Sequence, residues 1–237
     1  MKFRADLHIH SCLSPCGSLE MSPARIITEA EAAGLDLLAL TDHNCARNLR
    51  AFDHAARKSN ITPIFGIEVN SIEEAHVLCL FPTVKQAEEL GDFIENRLPQ
   101  IPNNPDLFGD QVYVDEHEFI LGEVEVSLLQ GAEITLEELL KEVKERGGLF
   151  IPAHIDRPSF SVVSQLGFLP RLDYSAVECV TWPPVIDTAD YCVITDSDAH
   201  YPQDIAKRSF TFEADSPTFE GLYDALAAKR VTPQKRS

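Results

Sequence analysis

Positive charge is what this sequence most lacks: 20 Lys and Arg stand against 38 Asp and Glu in 237 residues, a formal net charge of −18. Phosphate backbones are held by basic surfaces, so the balance is read as opposing long DNA or RNA as a partner. A small phosphorylated substrate remains compatible with it if bound cations supply positive charge locally. Part of the acidic excess is read as such a cation site, and the rest as solvated helix surface, as at Glu88-Glu89 and Glu137-Glu138. Long apolar runs are also missing. None approaches the ~20 residues that cross a bilayer, and Met1-Lys2-Phe3-Arg4-Ala5-Asp6 lacks the apolar stretch of a signal peptide. The expectation is a cytoplasmic protein with no membrane partner. The six cysteines include no C-x-x-C pair, and several lie in apolar strand-like runs. Most are read as packed thiols of a reducing compartment.

What is present is a regular alternation of short strands and helices. A hydrophobic share of 44% is enough for a proper core, and 237 residues suit one α/β barrel. Strands are predicted over 3–10, 36–41, 61–69, 76–81, 149–153, 176–180, 191–195 and 210–213. Helices are predicted over 24–33, 46–58, 84–97 and 135–146, with a last one from Ser216-Pro217 to near Lys229. Ser22-Pro23 before the first helix and Gly34 after it are strong start and stop signals. Residues 99–131 break the rhythm with Pro99, Pro102 and Pro105, an acidic stretch and a weaker helical pattern near 118–129. Too short for a core of its own, this segment is read as an insertion or lid on a single domain spanning 1–237. Lys235-Arg236 end the chain in a basic tail read as frayed. Repeated βα units imply parallel strands.

The histidines are concentrated. Of eight, six fall at strand ends or starts: His8, His10, His43, His76, His154 and His200. Carboxylates accompany them at Asp6, Asp42, Glu68 and Asp198. Residues two apart on a strand share a face, so His8 with His10, and Asp198 with His200, can each reach one ion. Ligand-type residues after most strands favour a parallel barrel, whose site lies at the C-terminal ends of its strands. An open sheet would gather them at one switch point. Asp6 and Asp42 precede ligating histidines and are read as groups that orient imidazoles. Arg157, just after His154, is the first candidate to grip a phosphoryl oxygen, because its planar fork matches that geometry. Arg208 is the second, and Arg47 and Arg50 are further options. His54 and His117 are read as solvated or structural.

Taken together, Asp6-Leu7-His8-Ile9-His10-Ser11, the run 37–44 ending Thr41-Asp42-His43-Asn44, the run 66–70 followed by 76–81, the run 151–158 and Ser197-Asp198-Ala199-His200 carry a resemblance. The chain resembles the PHP (polymerase and histidinol phosphatase) superfamily of metal-dependent phosphoesterases over nearly its whole length. The resemblance implies a distorted (β/α)7 TIM-like barrel with two or three divalent ions (Zn, Mn or Fe) at the C-terminal ends of its strands. It implies one ion on His8, His10 and Asp198, with Glu68 bridging to a second on His76 and His154, and a third on His43 and His200. Where such proteins often add a His or Asp to the third ion, this chain has Cys16, whose thiolate would suit zinc or iron better than manganese.

The expected activity is hydrolysis of a small phosphate ester, a nucleotide or metabolite phosphomonoester, by a hydroxide bridging the metals. Glu68, Asp198, His200 and Arg157 are the expected catalytic groups. Three other readings stay open: exonuclease-like phosphodiester cleavage of short oligonucleotides, an amidohydrolase-type C–N hydrolase, and a non-catalytic metal-binding module.

Overall fold

The computed structural model describes residues 1–234, so the basic tail at Lys235-Arg236 lies outside it. In chain order its elements are β1 (Lys2–Asp6), α1 (Pro23–Ala32), β2 (Leu37–Leu40), α2 (Leu49–Ala56), β3 (Thr62–Asn70), β4 (His76–Phe81) and α3 (Val84–Glu95). Next come α4 (Pro105–Phe108), β5 (Val112–Val114), β6 (Ile120–Glu123), α5 (Leu136–Glu145), β7 (Leu149–Pro152) and α6 (Val162–Leu166). The chain closes with β8 (Val177–Glu178), β9 (Val193–Ile194), β10 (Phe210–Glu213), α7 (Phe219–Ala227) and β11 (Val231–Pro233). Local chemistry explains the helix starts. Ser22, Thr83, Thr135 and Thr218 each accept a hydrogen bond from a backbone N–H of the first turn, and Thr135 with Glu138 forms a reciprocal capping box.

Seven strands form a curled, open half-barrel in the order β11-β10-β1-β2-β3-β4-β7. The β8–β9 pair completes the ring. Phe150 accepts from the Ser175 N–H, Glu178 accepts from the Ile155 N–H, and a bridge joins Ile9 to Ala199. Alternation between strand and helix is as the sequence indicates, but not every strand is parallel. β4 runs antiparallel to both β3 and β7, and β10 antiparallel to β1. The reversal of β4 has a functional consequence. His76 begins that strand, yet it pairs with Asn70 at the end of β3, so it reaches the same face as residues that end their strands.

Two apolar layers hold the ring. Ala5, Leu7, Leu37, Ala39, Ile64, Leu78, Leu80, Leu149 and Ile151 are buried together in one cluster with Phe210, Phe212 and Leu222. The alternate residues Leu38, Leu40, Phe65, Ile67, Val77, Cys79 and Phe150 pack with Ile26, Phe52, Leu90 and Leu139 of the helices. Gly66 belongs to the first set by alternation. A Cβ there would sit 2.6 Å from the Cys79 carbonyl oxygen and 2.7 Å from Leu80 Cδ2, so only glycine lets β3 and β4 approach this closely.

In the segment 99–131 the helix expected near 118–129 is instead the hairpin β5–β6. Its apolar run Phe119-Ile120-Leu121 is largely exposed, so it has no buried face to support a helix. The segment leans on the loop after β1. The Val112 N–H donates to the Cys12 carbonyl, and at Gly109 (φ 96°) a Cβ would lie 2.0 Å from the Pro15 carbonyl oxygen. No helix among the described residues is long and apolar enough to cross a membrane.

Candidate metal centre

At the rim where β1, β2, β3, β7 and β9 end and β4 begins, six imidazoles and three carboxylates meet. Glu68 is their centre and is 1% exposed. Its Oε1 lies 2.9 Å from His76 Nδ1, 3.2 Å from His154 Nε2 and 3.2 Å from His8 Nε2. Its Oε2 lies 3.0 Å from His43 Nδ1 and 3.3 Å from His10 Nε2. Asp198 Oδ1 sits 3.3 Å from His10 Nε2 and 3.4 Å from His8 Nε2. Four sets of three ligand atoms lie close enough to share an ion: His8-His10-Asp198, His8-Glu68-His154, His43-Glu68-His76 and His10-His43-His200. Every residue expected from sequence as a His, Asp or Glu ligand belongs to at least one of them. Cys16 is brought to the edge of the last, with Sγ 3.0 Å from His200 Nε2.

The arrangement fits cations better than it fits itself. Glu68 Oε2 is buried and makes no hydrogen bond despite its neighbours, and His154 Nδ1 is likewise buried and unpartnered. His8 Nε2 and His10 Nε2 point at each other across 3.2 Å. Converging lone pairs in a water-poor pocket are satisfied by metal ions or by protons. Burial and neighbouring charge compete over each ring's proton. Burial pulls His8 down, but Glu68, Glu178 and Asp198 outweigh it and hold it well above its ordinary value. His10 is opposed by burial in the same way, yet Asp198 and Glu68 lift it to about 9. His43 also reaches about 9 against burial and the His10 charge, through Glu68 and Cys16. Burial drives His76 down to about 4, and burial with the His10 charge does the same to His200. Burial would raise Glu68 and Asp198, but the surrounding imidazoles hold both well below the carboxylate range.

Outer contacts aim these rings. Glu178, buried on β8, takes His8 Nδ1 at 3.0 Å and accepts the His154 N–H at 2.9 Å. Sequence reasoning missed it; the available signal was a lone carboxylate inside Ala-Val-Glu-Cys-Val. Asp196, also missed, accepts the Leu7 N–H at 2.6 Å and so ties β9 to β1. Asp42 does not meet an imidazole directly. It accepts from Ser11 and from Ser14 Oγ, and Ser14 Oγ lies 3.0 Å from His10 Nδ1, so the orienting contact is one residue longer than expected. Asp6 orients no ring through its carboxylate: it accepts the Ser197 and Ala206 N–H groups and shapes the turn bearing Asp198.

The arginines divide. Arg157 reaches the centre, donating from Nη1 to Asp198 Oδ2 at 2.7 Å while 43% exposed. Arg208 does not point a free fork at it. Its Nε and Nη2 donate to the Asp196 and Ser197 carbonyls, holding the backbone of the Asp198 turn. Arg47 and Arg50 are paired with Glu95 and Glu88. His54 and His117 face each other 6.1 Å apart, outside the centre.

Comparison with known proteins bears on this geometry. The PHP domain profile matches residues 6–150. The uncharacterized protein YqxK of Bacillus subtilis is 25% identical over 237 aligned residues, covering 84% of this chain and 55% of that protein. The lesion-specific endonuclease PfuEndoQ from Pyrococcus furiosus superposes with a TM-score of 0.73 at 21% identity, over 96% of this chain and 56% of its own. A complex of Endonuclease Q with a 27-mer duplex substrate, an abasic lesion at its active site, gives 0.72 at 21% identity over 96% of this chain and 57% of its own. The chain thus spans a little more than half the length of these proteins, and the structural likeness is one of fold. It nonetheless overturns the exclusion of long nucleic acid as a partner on net charge, since Endonuclease Q, a protein that shares this fold, is seen with a duplex substrate. Net charge sums over a whole surface, whereas a phosphate at the rim meets the local field, which bound cations can invert.

Proposed function

The chain belongs to the PHP domain family, and from that membership we propose that it is a metal-dependent phosphoesterase that cleaves phosphodiester bonds in nucleic acid. One observation carries the reading: Glu68 stands in two of the four ligand triads, and His8, His10 and His43 each stand in two. Ions held by such overlapping sets would be neighbours, as two-metal phosphoryl-transfer chemistry requires. The fold shared with a lesion-specific endonuclease over 96% of this chain supports a nucleic-acid substrate over a free metabolite.

In this reading His8, His10 and Asp198 would hold one ion, Glu68 with His76 and His154 a second, and His43 with His200 and Cys16 a third, drawn from zinc, manganese or iron. Bound cations would supply a nucleophile at neutral pH and neutralise charge on the phosphoryl oxygens. The chain's own groups do the rest. Glu178 and Ser14 fix the tautomers of His8 and His10, so that Nε2 of each faces the centre. Arg157, which donates to Asp198 Oδ2 and is 43% exposed, would present its remaining guanidinium N–H groups to a phosphoryl oxygen beside the ions. His200 Nδ1 lies 2.8 Å from the Asp198 carbonyl oxygen, a contact that leaves Nε2 for the centre. The described residues 1–234 act as one barrel unit, with 99–131 as an insertion bracing the loop that carries Cys16.

The test is a matched set of substrates given to the metal-loaded protein: single-stranded and duplex DNA, a duplex with an abasic site, and a panel of phosphomonoesters. The proposal expects strand cleavage that stops on chelation. Phosphate release from monoesters with DNA left intact would replace it with the small-substrate reading.

A further inference from the structure

Arg157 is not the only side chain that the loop after β7 presents to the metal centre. Three residues on, Phe160 is 45% exposed, and its ring stacks on His76 with centroids 5.1 Å apart and planes 23° apart. The backbone there is left-handed, φ 53°, a conformation that a bulky side chain adopts only when its surroundings impose it. They do impose it. The Phe160 carbonyl accepts the His76 N–H at 3.0 Å, and the buried Ser161 donates to the Arg157 carbonyl while capping α6. Asp156 accepts the N–H groups of Val180 and Thr181, and the Arg157 N–H closes a turn on the His154 carbonyl. A tightly tied loop therefore holds a large apolar ring where water reaches it. An unconstrained phenyl ring would gain by turning inward.

The two exposed residues serve opposite ends of one centre. Arg157 meets Asp198, in the His8-His10-Asp198 triad, and Phe160 meets His76, in the His43-Glu68-His76 triad. One loop thus offers a guanidinium at one side of the ions and an aromatic face at the other. A phosphate ester without a flat apolar group has no use for the second. A nucleotide has both parts: a phosphate for the first and a nucleobase for the second.

We infer that Phe160 is a base-stacking residue, holding the nucleobase beside the phosphodiester that the metal centre attacks. This rests on the nucleic-acid reading above and deepens it. Every base has a π-face, so the contact selects nucleotides as a class rather than one sequence.

The test compares two single strands of equal length, oligothymidylate and the same backbone with tetrahydrofuran in place of every base. Binding is read by fluorescence anisotropy and cleavage by separate KM and kcat. Phe160→Ala and Phe160→Leu are expected to weaken binding and raise KM for oligothymidylate by about 10-fold to 100-fold. The base-free strand should be unaffected, as should kcat and metal content. Phe160→Trp and Phe160→Tyr should restore the wild-type KM. Leucine keeps apolar cover on His76, so its failure to rescue separates stacking from packing. Equal losses on both strands, or losses that follow metal content, would make Phe160 a structural prop of His76 and overturn the inference alone. A wild-type protein that binds and cuts neither strand while hydrolysing monoesters would overturn the nucleic-acid reading, and this inference with it.

Discussion

Along β2, β3 and β4 the residues of one face change character over two or three alternate positions. Leu37 and Ala39 lead to His43, Ile64 to Glu68, and Leu80 and Leu78 to His76, all on the same side of their strands. The floor of the barrel and its rim thus share strands and differ in what burial does. In the floor, each large apolar side chain removed from water stabilises the fold by about 1.5–3 kcal/mol. At the rim, burial makes charge expensive, and Glu68 is tolerated because imidazolium protons or metal ions surround it. Floor and rim should therefore respond separately to mutation: one in stability, the other in metal binding and turnover.

The largest separation is expected at Glu68. Glu68→Gln should lower turnover by about 10³-fold or more and reduce bound metal, read by kinetics and elemental analysis, while the far-ultraviolet spectrum stays native. Its counterpart in the floor is Leu80→Ala. Denaturant unfolding should show a loss of about 2–5 kcal/mol with metal stoichiometry unchanged. A floor variant that shed metal in its folded state would break the division. Glu178→Gln sharpens it from the rim side. Removing the partner of His8 Nδ1 should weaken metal affinity by about 10-fold to 100-fold in a competition titration, with little change in unfolding.

The smallest effect is graded in pH. His10 and His43 keep protons up to about 9 in the metal-free protein. Those protons must leave when metal binds. Metal affinity should therefore rise with pH below 9, by up to about tenfold per unit for each proton displaced, and level off above it. Calorimetry in buffers of different ionisation enthalpy would count the protons released. Affinity that was flat between pH 6 and 9 would mean that the rim is not proton-filled without metal.

The rim was more legible in the sequence than the strand directions. His8, His10, His43, His154, Glu68 and Asp198 follow apolar runs, and ligand types at the ends of such runs are conspicuous. His76 was visible as a candidate ligand, but not the reversal of β4 that brings it to the rim, because an apolar run such as Val-Leu-Cys-Leu-Phe reads alike in both directions. Glu178 was hidden among apolar neighbours, where one carboxylate passes for a strand irregularity. Arg208 looked like a phosphate grip because spacing along the chain cannot tell a free guanidinium from one spent on backbone carbonyls. The hairpin β5–β6 was misread because Phe119, Ile120 and Leu121 suggest a buried helical face, and in the fold they face water. Long nucleic acid was set aside on net charge, a sum that hides the potential at the rim.

The central claim is that the rim is one multinuclear centre organised by Glu68. Its most direct measurement is the number of ions per chain after reconstitution with zinc, manganese or iron, in wild type and in Glu68→Ala. The account predicts two or three ions in the wild type and at least one fewer in the variant. A single ion in the wild type, retained when Glu68 is removed, would contradict it.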